Sequence, residues 1–254
     1  MREDLKYLIV GDTIIDENVY LKGVGLSLES PTLKTTYTTR HINYGGAANV
    51  AKYLSELDRD VTFLTSISSD HIKDMKMKIR SFYQGRNNIK GRYWVTHGDS
   101  TYKYLQINDV NDDDSPSPLV DIDPSNYDII AFADYRCGFI TDAFISQCLN
   151  TGKITYASSQ ISSRPSNYHR YEGVDYIVCN EKESRFVGRM NNICVTRGGS
   201  GCSLNGVNYP AHPVDSVVNT IGAGDCFYAA LLATGSPEFA NRHAAEFIST
   251  EIYE

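Results

Sequence analysis

The chain has no run of eighteen apolar residues, no C-x-x-C pair and no excess of positive charge. The first absence excludes an ordinary membrane-spanning helix. The second excludes the common zinc patterns. The six cysteines (Cys137, Cys148, Cys179, Cys194, Cys202 and Cys226) are scattered through the second half. Such spacing in a chain this long argues against a disulfide framework, so they are expected to be reduced thiols in a reducing compartment. Lys and Arg number 24 against 31 Asp and Glu, a net charge of −7 that argues against a nucleic-acid partner. A local cluster of amides can still hold a small anion. The charged start, Met1-Arg2-Glu3-Asp4, lacks a signal-peptide pattern. A cytoplasmic protein without a membrane or nucleic-acid partner is expected.

Apolar residues make up 41% of 254, enough to bury a sizeable core, and one domain over residues 1–254 is expected. Short apolar runs read as strands at 7–10, 61–67, 129–133, 154–157, 176–179 and 193–196, with a hairpin around 202–207. Helical patterns fall at 47–57, 70–83, up to about Leu149, from Gly222 to Leu232 and from Glu238 to Ile252. This alternation implies a mostly parallel sheet covered on both faces. Two polar, β-rich stretches near 18–42 and 92–108 do not suit such a sheet and are expected to form a small separate β layer. Residues 109–118 read as a solvated loop; the acidic cluster lacks the spacing and final Glu of an EF-hand. In open parallel sheets ligands bind beyond the carboxyl ends of the strands, so chemistry is expected there.

The most informative stretch is Asn219-Thr220-Ile221-Gly222-Ala223-Gly224-Asp225, directly before a helix. Glycines let the backbone approach a ligand, and amides at a helix start attract anions. Asp225 at that point suits a base that takes a hydroxyl proton. A tight turn with Asp225 as a helix cap reads equally well from the local pattern. No Lys-Ser/Thr follows the glycines, which excludes a Walker loop.

Gly222-Ala223-Gly224-Asp225 resembles the signature of the PfkB/ribokinase family of carbohydrate kinases. Tyr44-Gly45-Gly46-Ala47-Ala48-Asn49 resembles that family's di-glycine motif, and Asn180-Glu181-Lys182-Glu183 its Asn-x-x-Glu motif. Val195-Thr196-Arg197-Gly198-Gly199-Ser200-Gly201 is similar to its nucleotide-side strand and turn. Phe239-Ala240-Asn241 with Ala244-Ala245 resembles its adenine wall. The matches fall in family order. Within the family, Gly11-Asp12-Thr13-Ile14-Ile15-Asp16, Ser27-Leu28-Glu29-Ser30-Pro31 and Asp134-Tyr135 with Gly138 look most like the kinase domain of bacterial D-glycero-D-manno-heptose-7-phosphate kinases.

The resemblance implies a ribokinase-like three-layer α/β/α fold with a small β lid that can pair two subunits. It implies ATP and Mg²⁺ as cofactors and a sugar or sugar phosphate as substrate. Asp225 would be the catalytic base, with the amides of Gly222, Ala223 and Gly224 as the anion hole. Glu183 would help hold Mg²⁺. Asn180 would lie near the phosphates; Thr196, Gly198 and Gly201 would border the nucleotide, with Asn241 and Ala244 near adenine. Asp12, Asp16, Gly45, Gly46 and Asn49 would bind the sugar. Arg40, Arg92 and Lys103 are either lid contacts for an anionic substrate or, the reading preferred here, solvated charges.

The chain also departs from the family. Asn219 stands where the family usually has Asp. Ser158-Ser159-Gln160 replaces the heptose kinases' Asp-Pro-Lys, Cys137 replaces a Lys, and Gly25 a loop Arg. Residues Ser68-Ser69-Asp70 lack the usual glycine. Two rivals therefore stand beside the sugar kinase. One is a nucleoside or other small-alcohol kinase of the same fold; the other is a catalytically silent sugar- or nucleotide-binding protein.

Overall fold

The computed structural model describes residues 4–73, 75, 77–111, 122–160 and 165–250. The chain opens with β1 (Lys6–Gly11), β2 (Thr13–Leu26) and β3 (Leu33–Gly46), then α1 (Ala47–Glu56). Next come β4 (Asp60–Thr65), the one-turn α2 (Ser69–Ile72), β5 (Lys78–Ser81), β6 (Asn88–His97) and β7 (Ser100–Asp109). The second half holds β8 (Ile129–Asp134), α3 (Asp142–Leu149), β9 (Ile154–Ser159), β10 (Tyr176–Asn180) and α4 (Glu181–Ser184). It ends with β11 (Asn192–Thr196), β12 (Cys202–Leu204), β13 (Val207–Tyr209), α5 (Ala223–Thr234) and α6 (Pro237–Ser249).

Nine strands form the main sheet in the order β13-β12-β11-β10-β9-β8-β1-β4-β5. Pairing is parallel from β11 to β5, and the β12–β13 hairpin adds two antiparallel strands at one edge. Side chains alternate across a strand, so a sheet covered on both faces needs apolar residues at every position. The central β1 shows this directly. Tyr7 and Ile9 enter a core with α1, α5 and α6, while Leu8 and Val10 enter a second core with α3. Ile129 and Ala131 of β8 face the first core; Ile130 and Phe132 face the second.

The second sheet has four strands in the order β3-β2-β6-β7, and both polar β-rich stretches fall in it. It grows out of the main sheet with a single residue, Asp12, between β1 and β2. The chain returns through Gly46, whose φ of 67° is open to glycine and which starts α1.

The helix expected over 70–83 is corrected. Among the described residues of that stretch only Ser69–Ile72 is helical, and Lys78–Ser81 is a strand parallel to β4. The alternation of Lys78, Ile79, Arg80 and Ser81 has the strand period, and Ile79 packs against the core. Within that expected helix, Lys76 lies outside the described residues. So do residues 112–118 of the acidic loop and Ile252, the expected end of the last helix.

Candidate active site

A cleft opens where the carboxyl ends of β8, β9, β10 and β11 meet the start of α5. Its lining includes Tyr135, Gln160, Asn180, Glu183, Thr196 and Asp225, with Gly224 at the helix start. Each strand stops there because the apolar run gives way to polar residues. A parallel sheet places such ends in one crevice.

α5 begins at Gly222, whose φ of 88° is left-handed. No side chain caps this helix. The Ala223 amide is not free as the sequence suggests, because it donates to the Thr220 carbonyl at 3.2 Å. The amides of Gly224 and Asp225 find no acceptor among the described residues, and a Cβ on Gly224 would meet open space. Two unsatisfied donors and the helix dipole therefore face the cleft, which suits an anion. Asn219, which lacks the family's carboxylate, still shapes the approach: its side-chain oxygen accepts the Ile221 amide at 2.9 Å.

Asp225 is gripped at both oxygens. Asn49 of α1 donates to one at 3.0 Å, and the Tyr135 hydroxyl donates to the other. Burial raises the Asp225 carboxyl above its ordinary range, these two donors pull it back, and the charge of Asp16 pushes it up again. A carboxylate raised toward neutrality is a better base than an exposed one. Across the cleft, Asn180 caps α4 through a reciprocal box. Its oxygen accepts the amides of Lys182 and Glu183, both at 2.9 Å, and Glu183 accepts the Asn180 amide at 2.9 Å. The Asn180 side-chain amide has no acceptor among the described residues and borders the cleft.

Magnesium takes oxygen ligands, keeps several waters and commonly arrives with nucleotide phosphates. No three His, Cys, Asp or Glu side chains converge among the described residues. Glu183, a single carboxylate opposite an anion-binding helix start, suits a cation carried by phosphates rather than one caged by protein.

Asp12 and Asn241, expected beside the sugar and adenine, are both engaged by the protein's own backbone. Asp12 is buried, and its carboxylate accepts the amides of Tyr135, Cys137 and Phe139 at 3.0, 3.2 and 3.1 Å. It fastens the turn after β8 and has little capacity left for a sugar. Asn241 donates to the carbonyls of Tyr209 and Pro210, both at 3.0 Å, and its remaining polarity meets the Cys202 thiol. It ties α6 to the end of β13 and has no spare donor for adenine. Gly201 is buried, and a Cβ there would sit 2.2 Å from the Tyr209 carbonyl oxygen. Gly198 is exposed in the turn after β11, and Ala244 packs on the core from α6; all four lie outside the cleft lining.

On the substrate side, Asp16 accepts from Arg92 at 2.6 Å. Gly45 is small enough to leave room, since a Cβ on it would lie 2.7 Å from an Asp16 oxygen. Gly46 lies beside it at the start of α1, where a Cβ would meet the Asp12 carbonyl. The other two cations expected as lid contacts or solvated charges are also engaged: Arg40 pairs with Glu17 at 2.5 Å, and Lys103 donates to Gln106 at 3.1 Å. The residue that sequence reasoning left without a role is Tyr135. Its position one residue beyond β8 was the available signal.

The model of the "pfkB family carbohydrate kinase" matches residues 5–236, which is most of the chain. The chain belongs to the PfkB family of carbohydrate kinases. Among curated relatives, it is 24% identical over 276 residues to the "Bifunctional protein HldE" of Trichlorobacter lovleyi, covering 91% of this chain and 55% of that protein. It spans about half the length of such relatives. Its fold matches the Arabidopsis thaliana ribokinase complexed with ribose and ATP, with a TM-score of 0.69, 19% identity and coverage of 96% and 91%. It also matches the Burkholderia thailandensis nucleoside kinase in complex with inosine, with a TM-score of 0.61, 15% identity and the same coverage of 96% and 91%. The PfkB chain thus has the ribokinase-like α/β fold. No described helix is long and apolar enough to cross a membrane.

Proposed function

We propose that this PfkB kinase transfers the γ-phosphoryl group of ATP to a hydroxyl of a sugar or sugar phosphate. The observation that carries this reading is Asp225. It is a raised, doubly held carboxylate beside two unsatisfied amides at the start of α5. A substrate hydroxyl would give its proton to Asp225 as it attacks. The Gly224 and Asp225 amides would stabilise charge on the transferring group. Glu183 would hold Mg²⁺ through water, and the ion would neutralise phosphate charge. Asn180 and Thr196 would border the nucleotide. Asp16, with Asn49 nearby, would face the sugar.

Heptose 7-phosphate is the first phosphorylated substrate to try, on the likeness to HldE proteins. Against it, Gln160 borders the cleft without a charge, and Arg92 already has a carboxylate partner. We also propose that two copies pair through the second sheet, whose outer strand β7 is exposed along its whole length.

The test is ADP release from Mg-ATP against sugars, sugar phosphates and nucleosides. Sugar-dependent turnover is expected, with Asp225→Asn lowering kcat by roughly 10²- to 10⁴-fold. Turnover with nucleosides alone would move the assignment to a nucleoside kinase. Ligand binding without turnover would make the chain a silent binding protein.

A further inference from the structure

Asp225 does not stand alone at the head of α5. Its two oxygens receive donors from two other elements: Asn49 of α1 at 3.0 Å, and the Tyr135 phenol from the turn after β8. That turn is itself strapped down. The Asp12 carboxylate takes three of its amides, and Arg136 and Gly138 bend it with φ of 62° and 82°.

We propose that Tyr135 and Asn49 are positioning residues for the base, each fixing one oxygen of Asp225 so that the remaining lone pairs are aimed at the substrate hydroxyl. Asp12 acts one step behind them by holding the turn that presents the Tyr135 phenol. The inference rests on reading Asp225 as the kinase base, and it moves Asn49 from the sugar to the carboxylate.

A carboxylate offers about four acceptor sites, so two donors leave room for an incoming hydroxyl. Without them it is free to rotate, and near-attack geometry is lost. Tyr135 is suited to the task because it stays protonated: burial, then the charge of Asp225, raise its phenol well above the ordinary value. The charged and titratable groups that face this pair are Asp16 from β2, Glu183 from α4, Tyr53 from α1 and Cys226 from α5 itself. They are unchanged by substituting Tyr135 or Asn49. Both donors favour the ionised form of Asp225, so removing either raises its titration midpoint.

A purely structural tyrosine would alter melting temperature and leave that midpoint alone. The experiment is therefore a carbon-NMR titration of the Asp225 carboxyl, assigned by its loss in Asp225→Asn. It is run on wild type, Tyr135→Phe and Asn49→Ala, together with kcat against pH. The midpoint is expected to rise by roughly one pH unit in each variant, with kcat down about tenfold and the KM for ATP unchanged. The acid limb of kcat should move the same way. A midpoint that stays put in both variants overturns the proposal. A shifted midpoint in a protein that turns over no panel member supports the positioning role and sinks the kinase reading instead.

Discussion

Asp12 shows how one buried carboxylate can fasten a turn beside the cleft. Burial, then the charge of Asp134, pushes it up to about 7, although three amides oppose the rise. In the unfolded chain it would titrate near 3.8. A carboxyl raised on folding favours the folded state below the unfolded value, and that contribution is lost as pH rises through about 7. The protein is therefore expected to melt higher at pH 5 than at pH 8. Much of that slope should vanish in Asp12→Asn, as read by thermal unfolding across pH. Asp225 has the same sign, because its carboxyl is also raised by burial. Its place at a helix start was visible in sequence from Gly-Ala-Gly-Asp. The roles of Asp12 and Asn241 were not. Their partners are backbone amides and carbonyls more than 30 residues away.

At the scale of elements, α5 depends on the residue that precedes it. Gly222 is left-handed, and a Cβ there would lie 3.2 Å from the Tyr53 hydroxyl and 3.4 Å from the Phe247 ring. Gly222→Ala is expected to cost about 1–2 kcal/mol from backbone strain. It should also reduce kcat, because the amides beside Asp225 move; urea unfolding and turnover would be measured together. The buried strands were legible because a sheet covered on both faces writes an unbroken apolar run, as in Tyr7 to Val10. The stretch before and including β5 was not. Its lysines are compatible with a helix face, and only pairing with Thr62 to Thr65 shows that the strand period wins.

The whole molecule has two parts of unequal cover. The main sheet is buried on both faces, whereas the second sheet carries Leu105 and Ile107 on one face of its edge strand, 46% and 49% exposed. That much apolar surface on an unpaired edge favours association with a like edge. Sedimentation at micromolar concentration is expected to show a dimer. Leu105→Lys combined with Ile107→Lys should return it to a monomer with its melting temperature little changed. A monomeric wild type would remove the pairing from the reading of function. The separate β layer could be foreseen from polar, β-branched runs. Its parallel β2–β6 pairing could not, because that join spans the whole of α1, β4 and β5.

The junction of the two sheets has a mechanical consequence. Both long strands, β2 and β3, are rooted at Asp12: β2 starts one residue after it, and the Ala47 amide after β3 donates to its carbonyl at 3.0 Å. Burial is complete at these roots and fades toward the far ends at Leu26 and Leu33. Within one copy the second sheet is thus a cantilever, clamped at one end. Thermal bending grows with distance from the clamp. Residues at the root are held in register by the main sheet, so bending of the tip leaves Asp12 and the turn it fastens in place.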